Sequence, residues 1–389
     1  MKVLQIIPSI SLVYGGPSQM VLGLSKALAK SGVEVTIVTT DSNGDVGQPP
    51  LNVPIGQPVK QDGYEIIYFR CSPFRRYKFS LALLSWLAHQ AKNYDLAHIH
   101  ALFSPVSTAA AMMARACQLP YILRPLGTLD PADLEKKKTL KKIYGLLLEK
   151  PNLAGAAAIH FTSEQEAKVS SRYGVKTHDL VIPLGVELPQ KLPELGKSRL
   201  RWGISQEQPL LLFMSRIDQK KGLDLLIPSL EILLGEGFDF HFVLAGSNPQ
   251  EPAYEQQIRE KIQSSKLGER TTITGFVQGE NKFELLTDAD LFILPSYYEN
   301  FGIAVAEAMA IGTPVVISNQ VYIWDEVEKA AAGWVTSCSV EGLTQTLRGV
   351  LQDEQGRKQR GINARKLVEE NYSWDAIALS MVKIYQELS

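Results

Sequence analysis

Short apolar runs recur along this chain with helix-length amphipathic segments between them, and that alternation restricts the fold more than any other feature. Val3 to Pro8 reads as a buried strand. Ser18 to Ser31 reads as a helix with Met20, Val21, Leu24 and Leu28 on one face, closed by Gly32, and Glu34 to Thr40 as the next strand. Strand, helix and strand in this order imply parallel strands joined by a right-handed crossover. The rhythm continues through Tyr64 to Phe69, Leu96 to His100, Pro120 to Arg124, Ala157 to Thr162 and Leu180 to Pro183, with helical segments such as Leu81 to Lys92 and Pro105 to Ala116 between them. It breaks from Pro183 to Gly196, where Pro183, Pro189 and Pro193 interrupt any period. A second series then runs through Leu210 to Met214, His241 to Ala245, Thr272 to Gly275, Leu291 to Leu294 and Pro314 to Ser318. The expected class is α/β, with two doubly wound, Rossmann-like halves. The expected division is residues 1–186, residues 187–372 and a last helical segment, residues 373–389.

Bulk properties agree with this reading and remove other classes. A chain of 389 residues is long for one core and suits two domains. Hydrophobic residues at 45% and charged residues at 21% are ordinary for a soluble globular chain, and a net charge of -1 carries no global signal for nucleic acid. Cys71, Cys117 and Cys338 form no CxxC pair, which suits free thiols in a reducing, cytoplasmic setting. No stretch approaches the roughly 20 apolar residues of a membrane span. The opening run Val3 to Ile7 is too short for a secretory leader and is interrupted by Pro8, so a first strand is expected there.

The most informative stretch is Ser296 to Pro314. It follows the apolar run Leu291 to Pro295, turns, passes Gly302 and becomes a helix of small and aliphatic residues that Gly312 and Pro314 stop. A helix opening at the end of a buried strand presents unpaired N–H groups and a partial positive charge, both suited to phosphate. Glu299 precedes this point and Glu307 lies about two turns inside, an axial separation of about 12 Å. That is the scale of a nucleotide sugar, and each carboxylate accepts hydrogen bonds from a pair of hydroxyls. The bland alternative is a solvated helix residue and a charge favouring the helix dipole. The alanines around Glu307 leave it little polar company, and a buried carboxylate needs a partner.

Cations come from a second place. The run Leu210 to Met214 ends in Ser215-Arg216-Ile217-Asp218-Gln219-Lys220-Lys221-Gly222, where Arg216 and Lys221 are suited to neutralising a diphosphate or simply form a basic surface turn. In the first half, Gly15 and Gly16 follow the first strand and allow either a turn or a close backbone approach to a ligand. His98 and His100 face one side of their strand. His98 suits the core, whereas His100, at the strand's end, suits a ligand cleft. Asp133 to Lys150 holds Lys136, Lys137, Lys138, Lys141 and Lys142 before an aliphatic run, and reads as an amphipathic basic helix, a solvated face or a contact with anionic lipid. Asp288-Ala289-Asp290 fits a helix-to-strand turn rather than a metal site.

Taken together, Glu299-x7-Glu307, Arg216 with Lys221, and Gly15-Gly16 closely resemble the GT-B glycosyltransferases of family 4, as do Ala245-Gly246, Gly275-Phe276-Val277 and Leu294-Pro295-Ser296. The resemblance covers nearly the whole chain. It implies two Rossmann-like doubly wound domains facing across a cleft, an N-terminal acceptor domain and a C-terminal donor domain. It also implies a last helix that crosses back to the N-terminal domain. Arg216 and Lys221 are implied to hold the donor diphosphate, Glu299 with Asn300 the donor-sugar end, and Phe301, Gly302 and Ile303 to offer backbone N–H groups. Glu307 is implied to bind the ribose diol, with Gly246 and Val277 at the base. Two departures stand out. Leu126, in Leu123-Arg124-Pro125-Leu126-Gly127-Thr128, occupies the place of a cleft histidine, so either Arg124 compensates or the acceptor is handled differently. Pro183-Leu184-Gly185 stands for the family's Pro-Asn-Gly turn.

The expectation is a retaining hexosyltransferase, glucose-type, using a nucleotide diphosphate sugar, most readily a UDP-sugar, and a hydroxyl acceptor in polysaccharide or glycolipid synthesis. The acceptor is expected to be a carbohydrate or a lipid-linked sugar. No metal and no cofactor beyond the donor substrate are called for, and peripheral contact with the inner face of a membrane is expected. A nucleotide-sugar epimerase and a non-catalytic sugar-binding partner are the alternatives.

Overall fold

The computed structural model describes residues 1–44, 48–73, 75–135, 138–189, 191–249 and 251–389. The chain divides into two compact units, Met1–Gly185 with Trp374–Ser389, and Val186–Ser373.

The first unit holds one eight-stranded sheet. Its strands are β1 (Lys2–Ile6), β2 (Glu34–Thr40), β3 (Pro58–Gln61), β4 (Tyr64–Phe69), β5 (Leu96–His100), β6 (Tyr121–Arg124), β7 (Ala158–Phe161) and β8 (Asp179–Val181), in the spatial order β3-β4-β2-β1-β5-β6-β7-β8. All neighbours are parallel except β3 and β4. The central strands are buried on both faces and read as continuous apolar runs, which is why the sequence shows them plainly. β3 was not foreseen. It is an exposed edge strand, short and polar, joined to β4 through Asp62-Gly63, both at positive φ.

Each face of this sheet has its own core. Helix Gly16–Lys30 and helix Trp374–Leu388 cover one face, with Val21, Leu24, Leu28, Ile377, Met381 and Tyr385 packed together. Helices Leu81–Gln90 and Pro105–Ala116 cover the other, with Leu83, Leu87, Val106, Ala110 and Ala114. The Trp374 ring lies against both Gly23 and Gly185, leaving no room for a Cβ at either. Gly185 of the departing Pro-Leu-Gly turn therefore keeps a packing role.

The second unit holds a six-stranded, fully parallel sheet. Its strands are β9 (Leu210–Met214), β10 (His241–Ala245), β11 (Thr271–Gly275), β12 (Leu291–Leu294), β13 (Val315–Ser318) and β14 (Gly333–Thr336), ordered β11-β10-β9-β12-β13-β14. β14 was also missed, being a four-residue edge strand that opens on glycine. Strand order reverses between β9 and β12. In an open parallel sheet the connections leave on opposite faces at such a point and open a crevice beyond the strands' carboxyl ends.

Candidate active site

The loops that follow β9 and β12 meet at that reversal. β9 ends at Met214, and the chain continues through Arg216 into the short turn Gln219–Lys221. Asp218 caps the turn by accepting from the Lys220 N–H at 3.0 Å. Gly222 has φ +72 and lies so close to the Pro295 carbonyl after β12 that a Cβ there is impossible. The Tyr297 N–H donates to the Lys220 carbonyl at 2.8 Å. The two loops are thus stitched together by backbone, before any side chain acts.

Side chains complete the arrangement. Lys221 Nζ donates to Glu299 Oε2, and both are largely buried, 14% and 21% exposed. Glu299 is held from the other side as well. Its N–H donates to the Gln320 carbonyl at 3.0 Å, and its carbonyl accepts from Tyr322 N–H at 3.0 Å. Arg216 is exposed and has no carboxylate partner among the described residues. Its guanidinium therefore stands at the carboxyl end of β9 with its donors unspent.

Helix Ile303–Ile311 begins at Gly302, whose left-handed φ of 85 turns the chain into the helix without a side-chain cap. The first N–H groups of that helix, with Ile303 leading, are left for an external acceptor. Phe301 itself is core, 2% exposed, its ring edge-on to Tyr372 at 5.3 Å. Its side chain is therefore committed to packing and cannot itself meet a ligand. Asn300 is partly buried beside it. Gly312, also left-handed, ends the helix where the sequence placed its stop.

Glu307 is neither solvated nor buried alone. Lys282, on helix Glu280–Asp288, donates to Glu307 Oε1 at 2.7 Å, with the two side chains 22% and 18% exposed. Lys282 was not anticipated, because one lysine in an amphipathic helix carries no sequence signal. Gly246 follows β10, donating its N–H to the Gly275 carbonyl at 2.7 Å, and Val277 follows β11. The second-unit residues expected at a donor therefore lie on segments that follow four adjacent strands, β11, β10, β9 and β12. Asp288 and Asp290 have other work. Asp288 accepts from Ser198 N–H at 2.7 Å and Arg199 N–H at 3.1 Å, and Asp290 accepts from Leu210 N–H at 2.8 Å and Arg199 Nη2 at 2.7 Å.

In the first unit, Gly15 has φ +68 and leads into helix Gly16–Lys30, again without a side-chain cap. His100 and Arg124, expected at a ligand, are not at a surface. They are 0% and 1% exposed, inside a buried polar network. Its bond directions follow from one carbonyl. Ile182 C=O accepts only, so His160 Nε2 carries the proton at 2.8 Å. Neutral His160 then accepts at Nδ1 from His98 Nε2 at 3.3 Å. His98 Nδ1 accepts from the Tyr385 hydroxyl at 2.7 Å. Tyr385 accepts from Gln5 Nε2 at 3.0 Å, and Gln5 Oε1 accepts from His100 Nε2 at 2.7 Å.

Burial pushes all three histidines below their ordinary range, His160 to about 3, aided by Arg124 and by one another. Burial also pulls Arg124 down to about 10. Its Nη1 contacts Met20 Sδ, while Nε and Nη2 have no hydrogen-bond partner among the described residues. The early strand-end positions of these residues were correctly read. The last helix was expected on this unit, where Trp374–Ser389 is grouped; what the sequence did not show is that its Tyr385 joins and covers this polar network. The direct substrate contact expected of His100 and Arg124 is therefore not seen in this arrangement.

Comparison with known proteins gives these sites a family. A family model described as glycosyl transferases group 1 matches residues 197–367, and one described as a glycosyl transferase 4-like domain matches residues 15–185. The D-inositol 3-phosphate glycosyltransferase of Xylanimonas cellulosilytica is 25% identical, the match covering 96% of this chain and 92% of that one. Among solved structures, sucrose-phosphate synthase of Thermosynechococcus elongatus superposes with a TM-score of 0.79 at 23% identity, over 100% of this chain and 99% of that one. Anabaena HepE, solved with UDP-glucose, superposes at 0.77 with 17% identity over 100% of both chains. With both halves matched by glycosyltransferase models and the fold shared end to end, the chain belongs to the GT-B glycosyltransferases of family 4 and is a transferase enzyme.

Proposed function

We propose that the chain moves a hexose of glucose type from a UDP-sugar to a hydroxyl of a carbohydrate or lipid-linked sugar acceptor, with retention, in polysaccharide or glycolipid synthesis. The observation that carries this is the junction of β9 and β12. One unspent guanidinium (Arg216), one lysine already bridged to a carboxylate (Lys221 on Glu299) and one uncapped helix start are gathered there. HepE, which shares the fold, was solved with UDP-glucose, and this supports the choice of donor.

In this reading the bond between the sugar's anomeric carbon and the diphosphate breaks first, and negative charge grows on the leaving oxygen. Arg216, Lys221 and the N–H groups at Phe301, Gly302 and Ile303 meet that charge. Glu299, held by Lys221 and by the backbone on both sides, accepts from donor-sugar hydroxyls, with Asn300 beside it. Glu307 accepts from the ribose diol, and Gly246 and Val277 border the base. Gly15 and Gly16, at the start of helix Gly16–Lys30 in the first unit, are assigned to substrate binding within that unit; the Gly15 N–H already donates to the Leu12 carbonyl at 3.0 Å, which leaves the Gly16 N–H for a ligand. The acceptor approaches from the face the leaving group vacates, and its hydroxyl proton passes to the departing phosphate oxygen, giving retention. The developing charge is met by side-chain cations and backbone, so no metal and no cofactor are called for. A cytoplasmic enzyme working at the inner face of a membrane fits such an acceptor. No helix among the described residues is long and apolar enough to cross one.

The test is kinetic. Arg216→Ala is expected to lower kcat with UDP-glucose by about 10²-fold or more while thermal unfolding is unchanged. Turnover near that of the parent would remove Arg216 from the site.

A further inference from the structure

The segment expected as one basic amphipathic helix carries an exposed aliphatic face with a cationic rim. From residue 138 onward it runs as α-helix Lys138–Tyr144, π-helical turn Gly145–Glu149 and α-helix Lys150–Gly155; Lys136 and Lys137 lie outside the described residues. Its inner face is firmly held. Glu149, 1% exposed, accepts from Phe103 N–H at 2.8 Å and from Thr108 Oγ1 at 2.7 Å. Asn152 Nδ2 donates to the Thr108 carbonyl at 3.1 Å, and the Tyr144 ring packs on Phe103 with centroids 5.8 Å apart. Tyr173 presses on Gly145, where no Cβ fits. These contacts settle which face looks outward.

The outward face is Leu140, Ile143, Leu146 and Leu147, which are 64%, 53%, 43% and 68% exposed. The spacing places them on one stripe. The π-turn admits an extra residue, so that Glu149 turns inward while Leu146 and Leu147 both stay outside. Lys138, Lys142 and Lys150 are exposed along the same segment. Lys138 reaches Glu135 at 2.8 Å, but Lys142 and Lys150 have no carboxylate partner among the described residues. The one acid between 138 and 155 is Glu149, which faces in. Adjacent aliphatic side chains held in water by a rigid inner face mark an interaction surface. The ammonium groups of Lys142 and Lys150, with no outward carboxylate between residues 138 and 155, complement anionic headgroups above acyl chains.

We propose that this face docks the chain on an anionic lipid surface. Leu140, Ile143, Leu146 and Leu147 enter the headgroup boundary, and Lys142 and Lys150 meet lipid phosphates. The inference deepens the membrane-side reading above and rests on it for the acceptor's lipid character, but not for the transfer chemistry.

Vesicle flotation of the full chain tests it. Vesicles of phosphatidylcholine mixed with phosphatidylglycerol are expected to carry the chain up the gradient, and phosphatidylcholine alone to bind at least about 10-fold less. A Leu140→Ser/Ile143→Ser/Leu147→Ser variant and a Lys142→Glu/Lys150→Glu variant are each expected to lose at least about 10-fold in partition, with unaltered thermal melts. Parent and both variants floating alike, or the parent remaining unbound to either vesicle, overturns the proposal. So does a parent dimer seen by light scattering that the serine variant dissolves, since the face then belongs to a second copy. Calorimetry with UDP-glucose on the same proteins separates the two readings. Flotation without donor binding defeats the transferase assignment and leaves the surface; donor binding without flotation defeats the surface alone.

Discussion

Two polar clusters sit near the carboxyl ends of parallel strands in this molecule, and they are built to opposite ends. In the first unit, Gln5, His98, His100, His160 and Tyr385 are sealed from water, and each is hydrogen-bonded to another member or to backbone. In the second, Lys221 with Glu299 and Lys282 with Glu307 pair opposite charges at partial exposure, beside Arg216, which has no carboxylate partner among the described residues. A sealed neutral network loses heavily when one member is removed, because the others cannot turn to water. An ion pair that borders solvent at 14–22% exposure has water or a ligand at hand to replace a lost partner, so either member is able to exchange it. On the proposed reading, stability and chemistry fall to different units. Arg124, a fully buried cation with two nitrogens unpartnered, and His100, whose Nδ1 is unpartnered, are exceptions among the described residues.

The sharpest way to break this contrast is to exchange the effects. Lys221→Ala should lower turnover by about 10²- to 10³-fold, as loss of a preorganised cation does, yet leave the melting temperature nearly unmoved. A large loss of stability with intact kcat would make the lysine a structural partner of Glu299 instead.

Acid should act on the first unit. The folded histidines stay neutral while the unfolded ones protonate near pH 6.5, so the unfolded state binds more protons. Stability therefore falls as pH drops below about 6.5, by about 1.4 kcal/mol per pH unit for each histidine held neutral, and the loss ends only when the folded groups protonate, near pH 3 for His160. Denaturant titrations between pH 7.5 and pH 5 (roughly spanning the onset) read this directly. A slope that His98→Gln and His160→Gln leave unchanged assigns the acid sensitivity elsewhere.

Tyr385→Phe should cost about 1–3 kcal/mol in the same titrations, by stripping the hydroxyl that joins His98 to Gln5, and leave UDP binding unaffected. Smallest of all, Glu307→Gln should raise the donor KM by about 10-fold with kcat nearly constant, as expected for a contact far from the breaking bond. A fall in kcat without a change in KM would move Glu307 to the reacting end.

Much of the fold was legible. Central strands buried on both faces leave unbroken apolar runs, so their positions were read to within a residue or two, and Gly312 marked the helix stop. Two of the four edge strands, β3 and β14, were not, because β3 is short, polar and exposed and β14 is a four-residue strand that opens on glycine. The candidate site was half legible. Arg216, Lys221 and Glu299 stood out as charges at element ends, and Glu307 as a carboxylate among alanines inside a helix. Lys282 did not, and the burial of His100 and Arg124 was invisible until the last helix was placed over them.

What the sequence determined by itself is therefore local and periodic. Alternating apolar and amphipathic segments dictate parallel α/β units, and glycines and prolines dictate where elements start and stop, because these depend on backbone geometry within a few residues. Only tertiary structure decided which polar groups meet. Lys221 and Glu299 lie 78 residues apart, Gln5 and Tyr385 lie 380 apart. The first pair meets because β12 lies beside β9, and the second because the chain's last helix packs on its first. Neither adjacency leaves a trace in spacing. Strand order and helix docking are settled by burying whole faces, a sum over the core that no single residue records.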